Sequence, residues 1–160
     1  EVWIVNTVGC VNTAAERIAR AATEQFAGRV DGVHTFAHPY GCSQLGDDLT
    51  NTQRVLAGLI RHPNTGGVLV LGLGCENNQM ESLLATAGDV DRERMLFFNT
   101  QDVMDEVEEG LEAVFMAMVD MRTASPGFHD QLHGPPNVVE SSGPDHPAAA
   151  LATAVDARGR

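Results

Sequence analysis

Lysine is absent from this chain, and all ten basic residues other than histidine are arginines. That absence excludes Schiff-base catalysis and the phosphate-loop lysine together. Positive charge is scarce altogether: ten basic residues face 22 acidic ones, for a formal net charge of -12 and a pI near 4.7. A nucleic-acid or anionic-membrane partner needs a basic patch, so neither is expected, and an anionic substrate would need local arginines. No apolar run approaches the roughly 20 residues that span a bilayer, and no basic-then-apolar leader opens the sequence, which predicts a soluble cytoplasmic protein. Only three cysteines occur, an odd number at wide spacing. That excludes a disulfide framework and fits reduced thiols. The first residue is Glu1 rather than methionine, inside what reads as a strand, so the chain reads as a piece of a longer one.

What is present is one domain's worth of alternating strand and helix signals in 160 residues. Val2 to Val5 reads as a strand, Asn6 to Gly9 as a turn, and Asn12-Thr13 as the cap of a helix over Ala14 to Phe26. Val33 to Ala37 reads as a second strand, His38 to Gly46 as a loop, and Asp47 to His62 as a helix with Val55, Leu56, Leu59 and Ile60 on one face. Val68 to Leu73 is the most hydrophobic segment and predicts a central strand buried on both sides. A helix over Glu76 to Thr86, a strand over Met95 to Phe98 and a helix over Asp102 to Met121 follow. The long last helix carries Met104, Val107, Leu111, Val114, Phe115 and Met118 at core spacing.

Four β-α units in series predict an α/β fold, a Rossmann-like three-layer sandwich with a mostly parallel sheet of about four strands. From residue 123 the sequence turns Pro- and Gly-rich, which marks a linker or disordered tail over 123–160 with one short helix near 148–157. His129, His133 and His146 in that tail have no companion cysteines.

Each cysteine follows a glycine at the end of an apolar run: Gly9-Cys10, Gly41-Cys42 and Gly74-Cys75. In an open parallel sheet, ligands bind outside the carboxyl ends of the strands, so the three thiols have one address. A cysteine opening a helix feels the positive end of the dipole, and a preceding glycine lets the backbone turn tightly or a ligand come close. The alternative is a small buried residue after a strand. Polar side chains flank the pairs: Asn12, then Ser43 and Gln44, then Glu76, Asn77, Asn78 and Gln79. They suit the hydroxyls and carboxylate of a polyol acid, and equally suit helix capping. His38, beside the only tyrosine, Tyr40, is a candidate general acid or base, a metal ligand, or a loop histidine bonded to backbone.

Four segments, Thr7-Val8-Gly9-Cys10-Val11-Asn12, Tyr40 to Asp48, Arg61-His62-Pro63-Asn64 and Gly72-Leu73-Gly74-Cys75-Glu76-Asn77-Asn78-Gln79, resemble the altronate dehydratase (altronate hydrolase) and galactarate dehydratase family. The resemblance covers residues 1–122, and Asn6 stands where many members carry proline. It implies the family's second domain, flanked in longer proteins by an N-terminal β-clip domain and a C-terminal α/β domain. It also implies loss of water from a hexonate or hexarate sugar acid, giving a 2-keto-3-deoxy acid, with Fe2+ as cofactor. Mn2+ or an iron-sulfur cluster remain open alternatives.

On that resemblance, Cys10, Cys42 and Cys75 are the expected thiolate ligands or redox-sensitive residues, with Cys42 also a catalytic candidate. His38 is the expected proton shuttle, and Asn12, Ser43, Gln44, Glu76, Asn77, Asn78 and Gln79 the expected substrate contacts. Arg54 or Arg61 is a candidate to meet the substrate carboxylate, surface pairing being the commoner fate of a helix arginine, and a homodimer is the expected partner state. Rival readings are the large subunit of a sulfolactate sulfo-lyase, a non-catalytic dimerisation domain, and a redox or metal-sensing module.

Overall fold

A computed structural model describes residues 1–91 and 94–124, with side chains through Val119. The chain divides into the units Glu1–Ser125 and Pro126–Arg160. The expected tail, its short helix and its three histidines lie outside the described residues.

The elements alternate as predicted: β1 (Val2–Asn6), α1 (Asn12–Gln25), β2 (Val33–Thr35), α2 (Gly46–Ile60), β3 (Gly67–Gly72), α3 (Met80–Ala87), β4 (Met95–Asn99) and α4 (Glu106–Ala124). Short 3-10 turns at Gly9–Val11 and Thr100–Asp102 precede α1 and α4. The four strands form one sheet in the order β2-β1-β3-β4, and every pair is parallel. The register sets Val2 opposite both Val33 and Gly67, so β1 and β3 are the central strands. Both are buried along their whole length, as a sheet covered on two faces requires.

Side-chain alternation divides the core in two. Val2, Ile4, Leu69 and Leu71 pack with Ala15, Ile18 and Ala22 of α1 and Val114, Ala117 and Met118 of α4. Val5, Val68 and Val70 point the other way, onto Leu56, Ala57 and Ile60 of α2 and Leu83 and Leu84 of α3. Helices therefore cover both faces, which makes three layers. The helices that follow β1 and β3 lie on opposite faces, so the gap between the carboxyl ends of these two strands is the topological switch point of the sheet, where such folds bind ligands.

Several element assignments shift. Val55 is 66% exposed, because the buried stripe of α2 runs through Thr52, Gln53, Leu56, Ala57 and Ile60 instead. Met104 lies before α4 and is fully exposed, and Phe115 is only partly covered; Val114, Ala117 and Met118 make the real contact. Asn12 caps no helix with its side chain. The third helix begins at Met80, so Glu76 to Gln79 belong to a loop.

Helices α1 and α4 approach closely at Gly110, where a Cβ would stand 2.5 Å from Ile18 Cδ1 and 2.6 Å from Cγ1. Alanine improves helix propensity by about 1 kcal/mol, but overpacking a fully buried isoleucine costs about 1–3 kcal/mol. Gly110→Ala is therefore expected to lower the urea midpoint by the equivalent of about 1 kcal/mol, and Ile18→Val in the same chain to recover part of it. A more stable single variant would mean that Ile18 yields and propensity wins.

Candidate active site

Four of the buried polar residues, Asn6, Thr7, Glu76 and Asn78, sit together at the carboxyl ends of β1 and β3, none more than 3% exposed. Polar groups so far from water need partners. Glu76 has the fullest set. Its Oε1 accepts the Thr7 hydroxyl in a short hydrogen bond and the Leu73 N–H at 3.0 Å, and its Oε2 accepts the Gly74 N–H at 2.7 Å. Burial alone would push this carboxyl up, but the Thr7 hydroxyl and the backbone N–H groups outweigh it and hold its pKa below the usual 4.5. Gly74 adopts φ +120°, the left-handed region that glycine alone enters freely, and so can turn its N–H onto the carboxylate. Asn78 ties the loop to the neighbouring strand, donating from Nδ2 to the Thr7 carbonyl at 2.8 Å.

A second knot holds the β2–α2 loop. The Asn6 side chain donates to Asn12 Oδ1 at 2.9 Å, and Asn12 Nδ2 donates to the His38 carbonyl at 2.9 Å. His38 Nε2 lies 3.0 Å from the Asn6 carbonyl. A carbonyl only accepts, so Nε2 bears the proton in this contact. Backbone bonds extend the lacing: Gly9 N–H to Tyr40 O at 2.7 Å and Asn77 N–H to Cys42 O at 2.8 Å. Three of the four motif segments, around residues 7–12, 40–48 and 72–79, thus meet at one end of the sheet. The fourth, Arg61 to Asn64, follows α2 at the opposite end, where His62 stacks on Trp3 with ring centroids 4.7 Å apart. Arg61 donates there to Ala87 O at 3.2 Å, so it does not face the strand-end crevice. Arg54 is exposed on α2.

The expected site residues reach this end of the sheet in different conditions. His38 and Asn12 are half-buried inside the second knot, Asn78 is buried, and Glu76 is turned inward with both oxygens occupied. Gln79 turns its amide back to the Glu76 carbonyl in a short bond, and Asn77 donates to the Gln44 carbonyl at 3.0 Å. The Gln44 side chain donates to Thr52 Oγ1 at 3.1 Å, and Ser43 is exposed with Oγ 3.7 Å from Cys42 Sγ.

The three cysteines are free; Cys10 and Cys75 are exposed and Cys42 is half-buried. Among the described residues, no three His, Cys, Asp or Glu side chains are gathered to hold a metal ion. The thiols share an end of the sheet, but Cys10, Cys42 and Cys75 belong to no such group. Cys75 Sγ instead accepts from Gln101 Nε2 at 3.6 Å.

Asn6, Thr7 and Gln101 are the residues the sequence reading passed over. Asn6-Thr7 carried a readable signal: two polar residues directly extend an otherwise apolar buried strand, a position that requires satisfied polar groups. Gln101 reaches the site only through the order of β3 and β4, which no local pattern encodes. Among the described residues, no helix is long and apolar enough to cross a membrane.

Comparison with known proteins adds a family to this geometry. The model of the family described as D-galactarate dehydratase/Altronate hydrolase, second domain, matches residues 1–122. Altronate dehydratase of Escherichia coli (strain K12) is 51% identical over 114 residues, 70% of this chain and 23% of that protein. Altronate dehydratase of Bacillus subtilis (strain 168) is 49% identical over 113 residues, 69% of this chain and 23% of that protein. The (2R)-sulfolactate sulfo-lyase subunit beta of Chromohalobacter salexigens is 34% identical over 76 residues, 46% of this chain and 20% of that protein. No solved structure matches the chain significantly. The chain spans less than a quarter of the length of these curated relatives. With the family's second-domain model matching residues 1–122, the chain belongs to the D-galactarate dehydratase/altronate hydrolase family and carries its second domain.

Proposed function

We propose that this domain contributes the strand-end part of the active site of a cytoplasmic sugar-acid hydro-lyase, which removes water from D-altronate or a related hexonate or hexarate. The observation that carries the reading is the meeting of three motif segments at the switch point of the sheet, laced by the Glu76 and His38 knots. The names of the relatives at about half identity support the same reaction class.

In such a reaction the C–H bond beside the carboxylate and the C–O bond of the next hydroxyl break, an enol forms, and the enol tautomerises to a 2-keto-3-deoxy acid. One proton and one hydroxide depart as water. His38 is the group we assign to that proton, because its Nε2 is committed to the Asn6 carbonyl and its Nδ1 keeps a lone pair. Glu76 acts as a brace: a carboxylate with three donors and a lowered pKa is a poor base. Charge that develops on the enol needs donors or cations, and we assign these to the longer protein. The sulfo-lyase relative favours a second reading, elimination from a sulfonate, over a smaller share of the chain.

The test offers the full-length protein D-altronate, D-galactarate and (2R)-sulfolactate, and measures 2-keto-3-deoxy acid and sulfite. In parallel, D-altronate is titrated into the isotope-labelled chain. We expect keto acid from a sugar acid, no sulfite, and amide shifts confined to residues 6–12, 38–44 and 73–79. Sulfite release would move the protein to the second reading, and no product from any of the three would sink both.

A further inference from the structure

We propose that Asn12 is a positioning residue, not a substrate contact: with Asn6 it holds the His38 imidazole as the Nε2–H tautomer, leaving Nδ1 as the nitrogen that exchanges a proton. Both ends of the Asn12 amide are committed, Oδ1 to Asn6 Nδ2 and Nδ2 to the His38 carbonyl, each at 2.9 Å. Each end keeps one further N–H or lone pair, but the two bonds fix the rotation of the amide and make it a strut between Asn6 and His38. Asn6 is fully buried, and its Oδ1 accepts the Thr35 hydroxyl at 3.4 Å, so the pair is anchored to both central and edge strands.

The same residue, His38, is thus tied twice to the end of β1, through its carbonyl by way of Asn12 and through its ring by the Asn6 carbonyl. Two attachments fix both the position and the rotation of an imidazole, and a hydrogen bond to one ring nitrogen selects the tautomer at the other. The result is a buried Nδ1 with no partner among the described residues. Tyr40 is the neighbouring ring, its centroid 5.4 Å from that of His38, and it is half exposed on a segment without regular structure.

The catalytic half of this inference rests on the reading of His38 as the proton carrier; the tautomer half does not. The experiment separates them. Nitrogen-15 histidine spectra of the 160-residue chain, with the ring neutral, are expected to give His38 a protonated Nε2 and an unprotonated Nδ1, and Asn12→Asp to mix the two tautomers. Asn12→Ser is the milder companion should the aspartate variant not fold. A wild-type ring protonated at Nδ1, or a folded Asn12 variant with an unchanged ring, would overturn the proposal.

In the full-length protein, Asn12→Asp is expected to lower kcat by roughly tenfold to a hundredfold, the range typical of groups that orient a working histidine, and to move KM by no more than about twofold. A raised KM with kcat kept would make Asn12 a substrate contact and overturn the assignment. If the wild-type protein turns over no sugar acid, the functional reading fails, while the spectra still decide whether Asn12 sets the ring.

Discussion

Glu76→Gln lowers the stability of the chain at neutral pH by about 2–3 kcal/mol and removes part of its pH dependence. Glutamine keeps the size of the side chain and one acceptor oxygen, so the Thr7 hydroxyl and Leu73 N–H retain a partner. Its amide nitrogen, however, faces the Gly74 N–H that Glu76 Oε2 accepts at 2.7 Å, donor against donor. Hydrogen bonds to a charged group contribute about 1.5–3 kcal/mol each, and a stranded buried donor costs a further 1–3 kcal/mol or so, which the loop recovers in part by relaxing. For a domain of this size the shift corresponds to a fall in Tm on the order of 10 °C.

The sign of the pH effect follows from the lowered pKa. Below its unfolded value near 4.5, the unfolded chain takes up the Glu76 proton before the folded one does. The stabilisation is therefore complete above 4.5 and is lost as pH falls through the lower folded value. The wild-type and Glu76→Gln curves should run apart from pH 7 down to about 4.5 and converge in more acid solution. Glu1 and Asp105 also have lowered values, but both remain in the variant and cancel in the difference. Urea unfolding at a series of pH values reads this directly. A constant gap would assign the loss to altered packing, and no gap would mean that the carboxylate is not the brace of this loop.

The two central strands were legible because burial on both faces leaves no room for a polar residue: Val2 to Val5 and Val68 to Leu71 could hardly be anything else. Parallel order and three layers followed from the alternation of elements. Helix faces were harder. Val55 and Phe115 fit an apolar stripe in the sequence, yet the contact each helix makes is narrower than that stripe, and which flank is left out depends on the neighbour it meets.

The site was legible as an address and less so as a set of roles. The segments around Cys10, Cys42 and Cys75 do end at the same edge of the sheet, but a strand end fixes a backbone position and not a side-chain direction. Exposed Cys10 and Cys75 turn outward from it, whereas Glu76 and Asn78 turn in. Glu76 read as the first turn of a helix and a substrate contact. The positive φ of Gly74 delays that helix to Met80 and folds the carboxylate back onto the loop.

Gly9→Ala is the substitution expected to damage the site most directly. A Cβ at residue 9 would stand 2.7 Å from the His38 carbonyl oxygen and 3.0 Å from that of Tyr40. Both obstacles are backbone, so neither can rotate aside; the whole 38–40 segment has to move, and the 2.7 Å bond from Gly9 N–H to Tyr40 O has to stretch with it. Overpacking of this kind costs about 1–3 kcal/mol of stability. Because His38 rides on the displaced segment, a shift on the order of 1 Å is expected to lower kcat/KM of the full-length protein by about a hundredfold.

The glycines before the other two cysteines supply the comparison. Gly74 is held by its dihedral angle, whereas a Cβ on Gly41 meets nothing within 4 Å and its φ is not in the left-handed region. Of three Gly-Cys pairs that look alike in sequence, the first needs glycine for a close approach, the third for a turn, and the second for neither. Gly41→Ala is therefore expected to unfold within about 0.5 kcal/mol of wild type. If Gly9→Ala were equally silent in unfolding and turnover, the packing of the Gly9–Val11 turn against the His38 loop would not be what positions the histidine, and the knot of Asn6 and Asn12 would have to do so alone.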